Sequence, residues 1–376
     1  MIFHSLKDKE QLIMVGMMSG TSMDGLDICV AEIGFASMSV DVNLLASDSI
    51  PYSEELREKV SNCQKGNAEL ISQTHFNLGR FMANETKNFL KKNKISIVDA
   101  IAMHGQTIFH SNRESSFQIG EPSFISQELD VPVISNFRAA DISVGGTGAP
   151  LIPIIDKWLF QEEDIGIICL NLGGIANVSF IPASKLDKPI LGFDTGPGMA
   201  LMDEVMLRLR GEYFDRDGAR CLIGKSDDRD VEKWMEHYFI NALPPKSTGR
   251  DIFGPSWIEE NIPNLDLINL NDLMATLSLF SAKSIAYNCK RFLPMDLINR
   301  VIISGGGIYN KGLINNIEKE FSPISVISSD YYGFDPFMKE ALGFAILGVA
   351  NLKGIPANVP TVTGAKKSVI LGKITI

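Results

Sequence analysis

SGTSMDGLD, residues 19–27, follows the apolar run at 12–18 and leads into a second one at 28–33. Two glycines, small hydroxyls and two acids therefore stand where a strand turns back on itself. Glycine adopts positive φ without cost and lets a ligand come close to the backbone. Consecutive N–H groups at such a tip point into one concavity, which suits phosphate oxygens. The same residues also make an ordinary hairpin turn, so this stretch by itself leaves both readings open.

The layout returns. Residues 165–171 (IGIICLN) are an apolar run, followed by LGGIAN and then VSFI; a third run, ILGF, ends at Asp194. A third glycine stretch, SGGGIYN, follows the apolar VII at 301–303. Residues 12–18, 27–34 and 41–50 read as three successive strands, and the second half opens on the same short meander. Helical spacing runs through 53–62, 67–92, 149–160, 199–210, 228–241, 271–292, 309–320 and 337–350, with buried-strand patterns at 98–103, 131–137 and 324–328. On that reading His104 ends the strand at 98–103. Alternating strand and helix patterns over 376 residues, 45% of them hydrophobic, predict an α/β protein of two related domains.

The net charge of −10, without a basic run, argues against a nucleic-acid-binding face. Five cysteines stand singly, which fits a reducing, cytoplasmic compartment better than a disulfide framework. No secretory signal and no run long enough to span a membrane is expected. Gly218 to Ser226 has five residues between its glycines, where the Walker loop needs four, and no GxGxxG follows a strand. The protein-kinase HRD and DFG set is absent as well.

Three glycine tips at strand ends fit a clamped nucleotide, and this arrangement resembles the superfamily of actin, hexokinase and the heat-shock ATPases. Within it the chain is most similar to the anhydro-N-acetylmuramic acid kinase family. The resemblance rests on MVGMMSGTSMDGLD (14–27), MHGQTIFH (103–110), NFRAADISVGGTGAPLIP (136–153), LNLGGIANVS (170–179), GFDTGPG (192–198), KSTGRDIFG (246–254) and ISGGG (303–307). It implies an α/β fold of the actin-like, ribonuclease H-like type with an interdomain cleft. The domains expected are 1–135 with 338–376, and 136–337. It also implies ATP and Mg²⁺ as cofactors, a small-molecule sugar as substrate and a possible homodimer. ATP contacts are expected from Gly20, Thr21, Ser22, Met23, Asp24, Gly25, Leu26 and Asp27, from Asn171, Gly173 and Gly174, and from Gly305, Gly306 and Gly307. Asp24 is the residue expected to hold Mg²⁺, through water.

Asp194, between a strand end and a turn, is by position either a helix cap or a base. The resemblance assigns it the role of catalytic base, activating the water that opens a 1,6-anhydro sugar as O6 takes the γ-phosphoryl group. An acidic chain that binds polyanions needs placed cations. Arg138 is expected on the sugar side, together with His104, Gln106 and Gly196. Lys246 and Arg250 flank Ser247, Thr248 and Gly249 in a loop that suits an anion. Another sugar kinase of the same fold, or a non-enzymatic actin-like ATP-binding protein, is the alternative.

Overall fold

The computed structural model describes residues 6–20, 23, 25–36 and 39–376. The chain divides into two compact units, Met1–Leu159 with Met338–Ile376, and Phe160–Phe337. Among the described residues twelve strands form in chain order: β1 (Gln11–Ser19), β2 (Gly25–Ala36), β3 (Ser39–Pro51), β4 (Ala100–Ser111), β5 (Ser115–Ile119), β6 (Val133–Ser135), β7 (Gly166–Leu172), β8 (Ile175–Ile181), β9 (Leu191–Pro197), β10 (Ile298–Ser304), β11 (Ser325–Ser328) and β12 (Lys373–Thr375).

The first unit's sheet runs β12-β6-β4-β1-β2-β3, with β5 paired to β4; the second runs β11-β10-β7-β8-β9. Both start with an antiparallel meander, β1-β2-β3 and β7-β8-β9. Both then add two strands in parallel beyond the first, β4 and β6 in one unit and β10 and β11 in the other. This shared order is the ribonuclease H-like arrangement expected of the actin-like class.

Burial explains the strand types. β1, QLIMVGMMS, is buried or half-buried at every position after the first, as a central strand covered on both faces must be. β3 alternates exposed and half-buried along its whole length, as an edge strand does. Helix Lys339–Lys353 covers β1, β2 and β4 and is buried almost all round. Small residues let it come close. A side chain at Gly16 would meet the Ala341 carbonyl at 2.1 Å, and one at Gly348 would meet Ala102 Cβ at 2.7 Å. Helix Leu270–Phe292, capped by the Asn269 side chain, plays the same central part against β8 and β9 in the second unit.

Several expectations change in detail. The strand at 98–103 continues through HGQTIFHS to Ser111, because β5 pairs antiparallel along its second half. His104 is therefore inside a strand and not at its end. The helix at 149–160 starts only at Ile152, leaving Pro153 in its first turn. The helix at 228–241 breaks at 236–237, where the His237 ring accepts from the Phe239 amide and starts a new turn. The division between units comes at Leu159/Phe160 rather than at 135/136. Residues 136–159 are fastened to the first unit by Asp141, which accepts from Asn358 and Thr363, and by a buried ion pair, Lys339 Nζ to Asp156 Oδ1 at 2.8 Å. Among the described residues no helix is long and apolar enough to cross a membrane.

Candidate active site

In the second unit, β7 and β8 join through Gly173 and Gly174. The Gly173 carbonyl accepts from the Met199 amide at 2.9 Å, and the Gly174 carbonyl accepts from Gly198 at 2.9 Å and Ala200 at 3.0 Å. In a trans peptide N–H and C=O point opposite ways. The amides of Gly174 and Ile175 thus face away from the start of helix Ala200–Arg210. The space above Gly173 is open, with nothing nearer than 3.4 Å to a side chain built there. Gly198 is tied in from the other side, since Ser281 Oγ donates to its carbonyl and any Cβ on it would strike the Gly173 carbonyl at 2.3 Å.

The third glycine stretch meets the same tip. Gly305 has φ +86° and lies against Asn171 Oδ1 and the Leu172 carbonyl; Gly307 lies against Leu172 and Met199. The amides of Gly306 and Gly307 open a short helical turn and have no acceptor within it. A side chain at Gly306 would have nothing nearer than Phe337, at 3.7 Å. Asn171, Gly173, Gly174 and Gly305–Gly307, expected from distant stretches of sequence, are therefore brought together. A cradle of outward amides around space that a Cβ would fill fits a phosphate chain.

Asp194 stands on β9, beside a bulge. Asn177 pairs with Asp194 and Ala176 with Gly196, leaving Thr195 as the extra residue. Thr195 is fully buried and its carbonyl accepts from Ser284 and Asn288 of the central helix, so the bulge is clamped and re-aims the acid beside it. Gly196 has φ +138°, and Ser284 Oγ occupies the place of a side chain at 2.5 Å. Close packing is thus a sufficient reason for glycine there. The Asp194 amide donates to the Lys246 carbonyl, drawing the 246–254 loop onto β9. Asp194 Oδ2 then accepts from Ser247 Oγ and from the Thr248 amide, each at 2.8 Å. Among the described residues Oδ1 has no hydrogen-bond partner. Burial pushes the carboxyl up to about 6, against the opposing pull of the Thr248 amide, Ser247 and Lys246.

Lys246 is occupied. Its Nζ donates to the carbonyls of Phe239 and Ile240 and lies over the Phe239 ring, and burial brings it down to about 8. Arg250 lies against Gly174, its Nε 3.3 Å from where a Cβ would be. Asp203 is its partner, with 3.6 Å between Oδ2 and Nη2. Asp203 escapes a sequence reading because it looks like any acid in a helix's first turn, 47 residues from Arg250.

The first unit holds the other expected residues. Gly20, Met23 and Gly25 belong to the β1–β2 tip, where the Met23 amide donates to the Gly20 carbonyl. Thr21, Ser22 and Asp24 lie outside the described residues. Leu26 is a core residue and Asp27 Oδ1 accepts from Ser49 Oγ. Gln106 is buried beside the tip: its Oε1 accepts from Ser19 Oγ at 2.5 Å and its Nε2 donates to the Gly20 carbonyl at 3.1 Å. His104 Nδ1 donates to the Gly105 carbonyl, which leaves Nε2 as acceptor for Arg138 Nε and Nη2. Burial, then the Arg138 charge, holds this imidazole well below its usual range and neutral. Arg138 Nη1 donates to the Gly148 carbonyl, so among the described residues two of its five N–H groups stay uncommitted. Among the described residues no three His, Cys, Asp or Glu side chains cluster as metal ligands.

Over residues 12–376 the chain matches the family described as anhydro-N-acetylmuramic acid kinase. It is 37% identical over 373 residues to a protein of that name from Clostridioides difficile (strain 630), covering 96% of this chain and 97% of the relative. A namesake from Bacillus thuringiensis subsp. konkukian (strain 97-27) is 36% identical over 380 residues, covering 97% and 99%. The chain also resembles solved structures of much lower identity. The activator of the 2-hydroxyisocaproyl-CoA dehydratase from Clostridium difficile, with bound ADPNP, is 14% identical at a TM-score of 0.43, covering 91% of this chain and 96% of that one. Matched nearly end to end by its relatives and carrying the motifs in order, the chain belongs to the anhydro-N-acetylmuramic acid kinase family.

Proposed function

We propose that the protein is an ATP-dependent sugar kinase of cell-wall recycling. It opens the 1,6-anhydro ring of 1,6-anhydro-N-acetylmuramic acid with water and phosphorylates O6, giving N-acetylmuramate 6-phosphate. The observation that carries this reading is Asp194. Its carboxylate is fixed through one oxygen by Ser247 and Thr248, has the other uncommitted, and is raised to about 6. A base in that range stays ionised at neutral pH and takes a proton more readily than an ordinary carboxylate.

Asp194 Oδ1 takes a proton from water as its oxygen bonds to the anomeric carbon. The C1–O6 bond breaks, O6 bonds to the γ-phosphorus, and ADP leaves. Alignment and charge stabilisation supply most of the acceleration in phosphoryl transfer. The outward amides of Gly174 and Ile175 and those of Gly306 and Gly307 suit phosphate oxygens, and the tip at Gly20–Gly25 is assigned the same task. Mg²⁺ typically keeps several waters and needs only one or two carboxylates beside the phosphates. Asp24 is the proposed carboxylate, and the ion's contribution when bound is to neutralise phosphate charge. The two uncommitted N–H groups of Arg138 suit a carboxylate such as the lactyl group of the sugar.

The test is transfer from ATP to the anhydro sugar in ¹⁸O water, quenched before the anomeric oxygen exchanges. One ¹⁸O is expected at the anomeric hydroxyl and none in the phosphate. Product without the label overturns the hydrolytic half of the reaction, and no phosphorylated sugar overturns the whole.

A further inference from the structure

We infer that Arg250 is a phosphate ligand at the Gly173–Gly174 tip, held in place by Asp203, and that it meets the phosphoryl group in transfer. The inference rests on the phosphotransfer reading above and adds a residue to it.

Arg250 and Lys246 belong to one loop, the loop that also grips Asp194, and they differ in what occupies them. Lys246 has two carbonyl acceptors and an aromatic face. Among the described residues the Arg250 side chain makes no hydrogen bond. Its contact with Asp203, at 3.6 Å, is an ion pair beyond hydrogen-bond reach. A guanidinium carries five N–H donors in a planar fork that matches phosphate oxygens, and here the fork lies on the glycine of a tip whose amides point outward. The guanidinium packs closely on Gly174: a Cβ there would come within 3.3 Å of Nε and 3.5 Å of Nη2.

Asp203 is a positioning residue. Among the described residues its Oδ1 is buried without a hydrogen-bond partner. A half-buried carboxylate with one oxygen in that state is costly, and the guanidinium beside it is the compensating charge. Burial pushes the carboxyl up to about 7 even with Arg250 pulling it down. Helix Ala200–Arg210, which carries Asp203, starts on the turn whose amides fasten the tip: Met199, its cap, donates to the Gly173 carbonyl, and Gly198 and Ala200 donate to the Gly174 carbonyl. The carboxylate and the tip therefore share one support, which sets where Arg250 stands relative to the phosphate-facing amides. The 246–254 loop is closed behind it, because Phe253 and Ile252 donate to the Gly249 carbonyl and Gly254 packs on the Arg250 carbonyl.

The experiment compares wild type, Arg250→Ala and Asp203→Asn by equilibrium binding of ADP and of a non-hydrolysable ATP analogue, alongside sugar turnover and thermal melting. Arg250 is 46% exposed, so its truncation leaves the core intact. The expected result for Arg250→Ala is unchanged ADP affinity, a fall of about tenfold or more in the analogue-to-ADP affinity ratio, and a loss of at least about 10²-fold in kcat. Asp203→Asn is expected to lower the same ratio by a smaller factor, with ADP affinity and melting temperature unchanged. A merely structural Asp203 would instead lower melting temperature and both affinities together. Equal ratios and equal turnover in wild type and Arg250→Ala overturn the inference. A lost ratio alongside no sugar transfer by wild type keeps Arg250 as a phosphate ligand and overturns the sugar reading instead.

Discussion

The two sheets have the same strand order but opposite characters at their third strands. β3 is long and alternating, with a register shift that leaves Leu45 as the extra residue, half exposed. β9 is short, and its extra residue, Thr195, is buried under the Ser284 and Asn288 clamps. Both strands have the irregularity; one of them has made it a rigid mount for an acid. The carboxyls pushed well above the ordinary range among the described residues, Asp194 and Asp203, both lie in the second unit. Duplicating a fold therefore duplicates the scaffold and the glycine tip, while reactive groups arise in whichever copy buries them.

The largest effect that follows is at Asp194. Asp194→Asn keeps the shape and removes the base, so turnover is expected to fall by at least about 10²-fold with nucleotide affinity unchanged. The folded protein holds the Asp194 proton up to about pH 6, whereas an unfolded chain releases it near 3.8. This acid's contribution to stability is thus lost as pH rises through that window. Asp194→Asn is expected to melt no lower than wild type above pH 6. A variant that turns over normally would move the chemistry off β9 and break the contrast between the units.

The tips differ in a second way, in what holds them. The second unit's tip is fastened by backbone amides from residues 198–200. The first unit's tip is fastened by side chains. Gln106 accepts from Ser19 and donates to the Gly20 carbonyl, and the Tyr52 hydroxyl, 2.5 Å away, donates to Ser19. Gln106→Leu would take the acceptor from Ser19 and the donor from the Gly20 carbonyl, at about 1–3 kcal/mol. The expected outcome is a lower melting temperature and nucleotide affinity weakened by about tenfold. The matched change in the other unit, Ser281→Ala, removes one bond to the Gly198 carbonyl and leaves the amide fastening, so affinity is expected within about threefold of wild type. Equal losses in both variants would erase the distinction.

Both meanders were legible because apolar runs interrupted by glycine and acid have few other solutions. The extension of β4 was not, because HGQT reads locally as a turn. Gly105 does have φ +76°, at a bulge where Met17 pairs with Met103 and Ser19 with Gln106. The bulge also puts Gln106 beside the tip and gives it two tip atoms to hold. Asp194 was singled out by the family motif, but its setting was misread, since it stands within β9, which runs on to Pro197, and not at a strand end before a turn. Its raised pKa was not legible, since burial comes from elements distant in sequence. The partnership of Asp203 with Arg250 left no local signal at all, because each residue alone suits a solvated surface.

The smallest expected effect decides which acid controls the rate. A base must be ionised, so turnover falls as pH drops through its pKa. Asp194 at about 6 and Asp203 at about 7 place their limbs close together. Ser247 separates them, because its hydroxyl donates to Asp194 and is not among the groups acting on Asp203. Removing that donor raises the Asp194 pKa, since a hydrogen bond to the ionised form favours ionisation. In Ser247→Ala the acid limb of kcat is expected to move up by about half to one pH unit, with a severalfold loss of rate at pH 6 and little change at pH 8. A limb that stays put in Ser247→Ala but vanishes in Asp203→Asn would assign the titration to the Arg250 pair, and the base at β9 would have to titrate elsewhere.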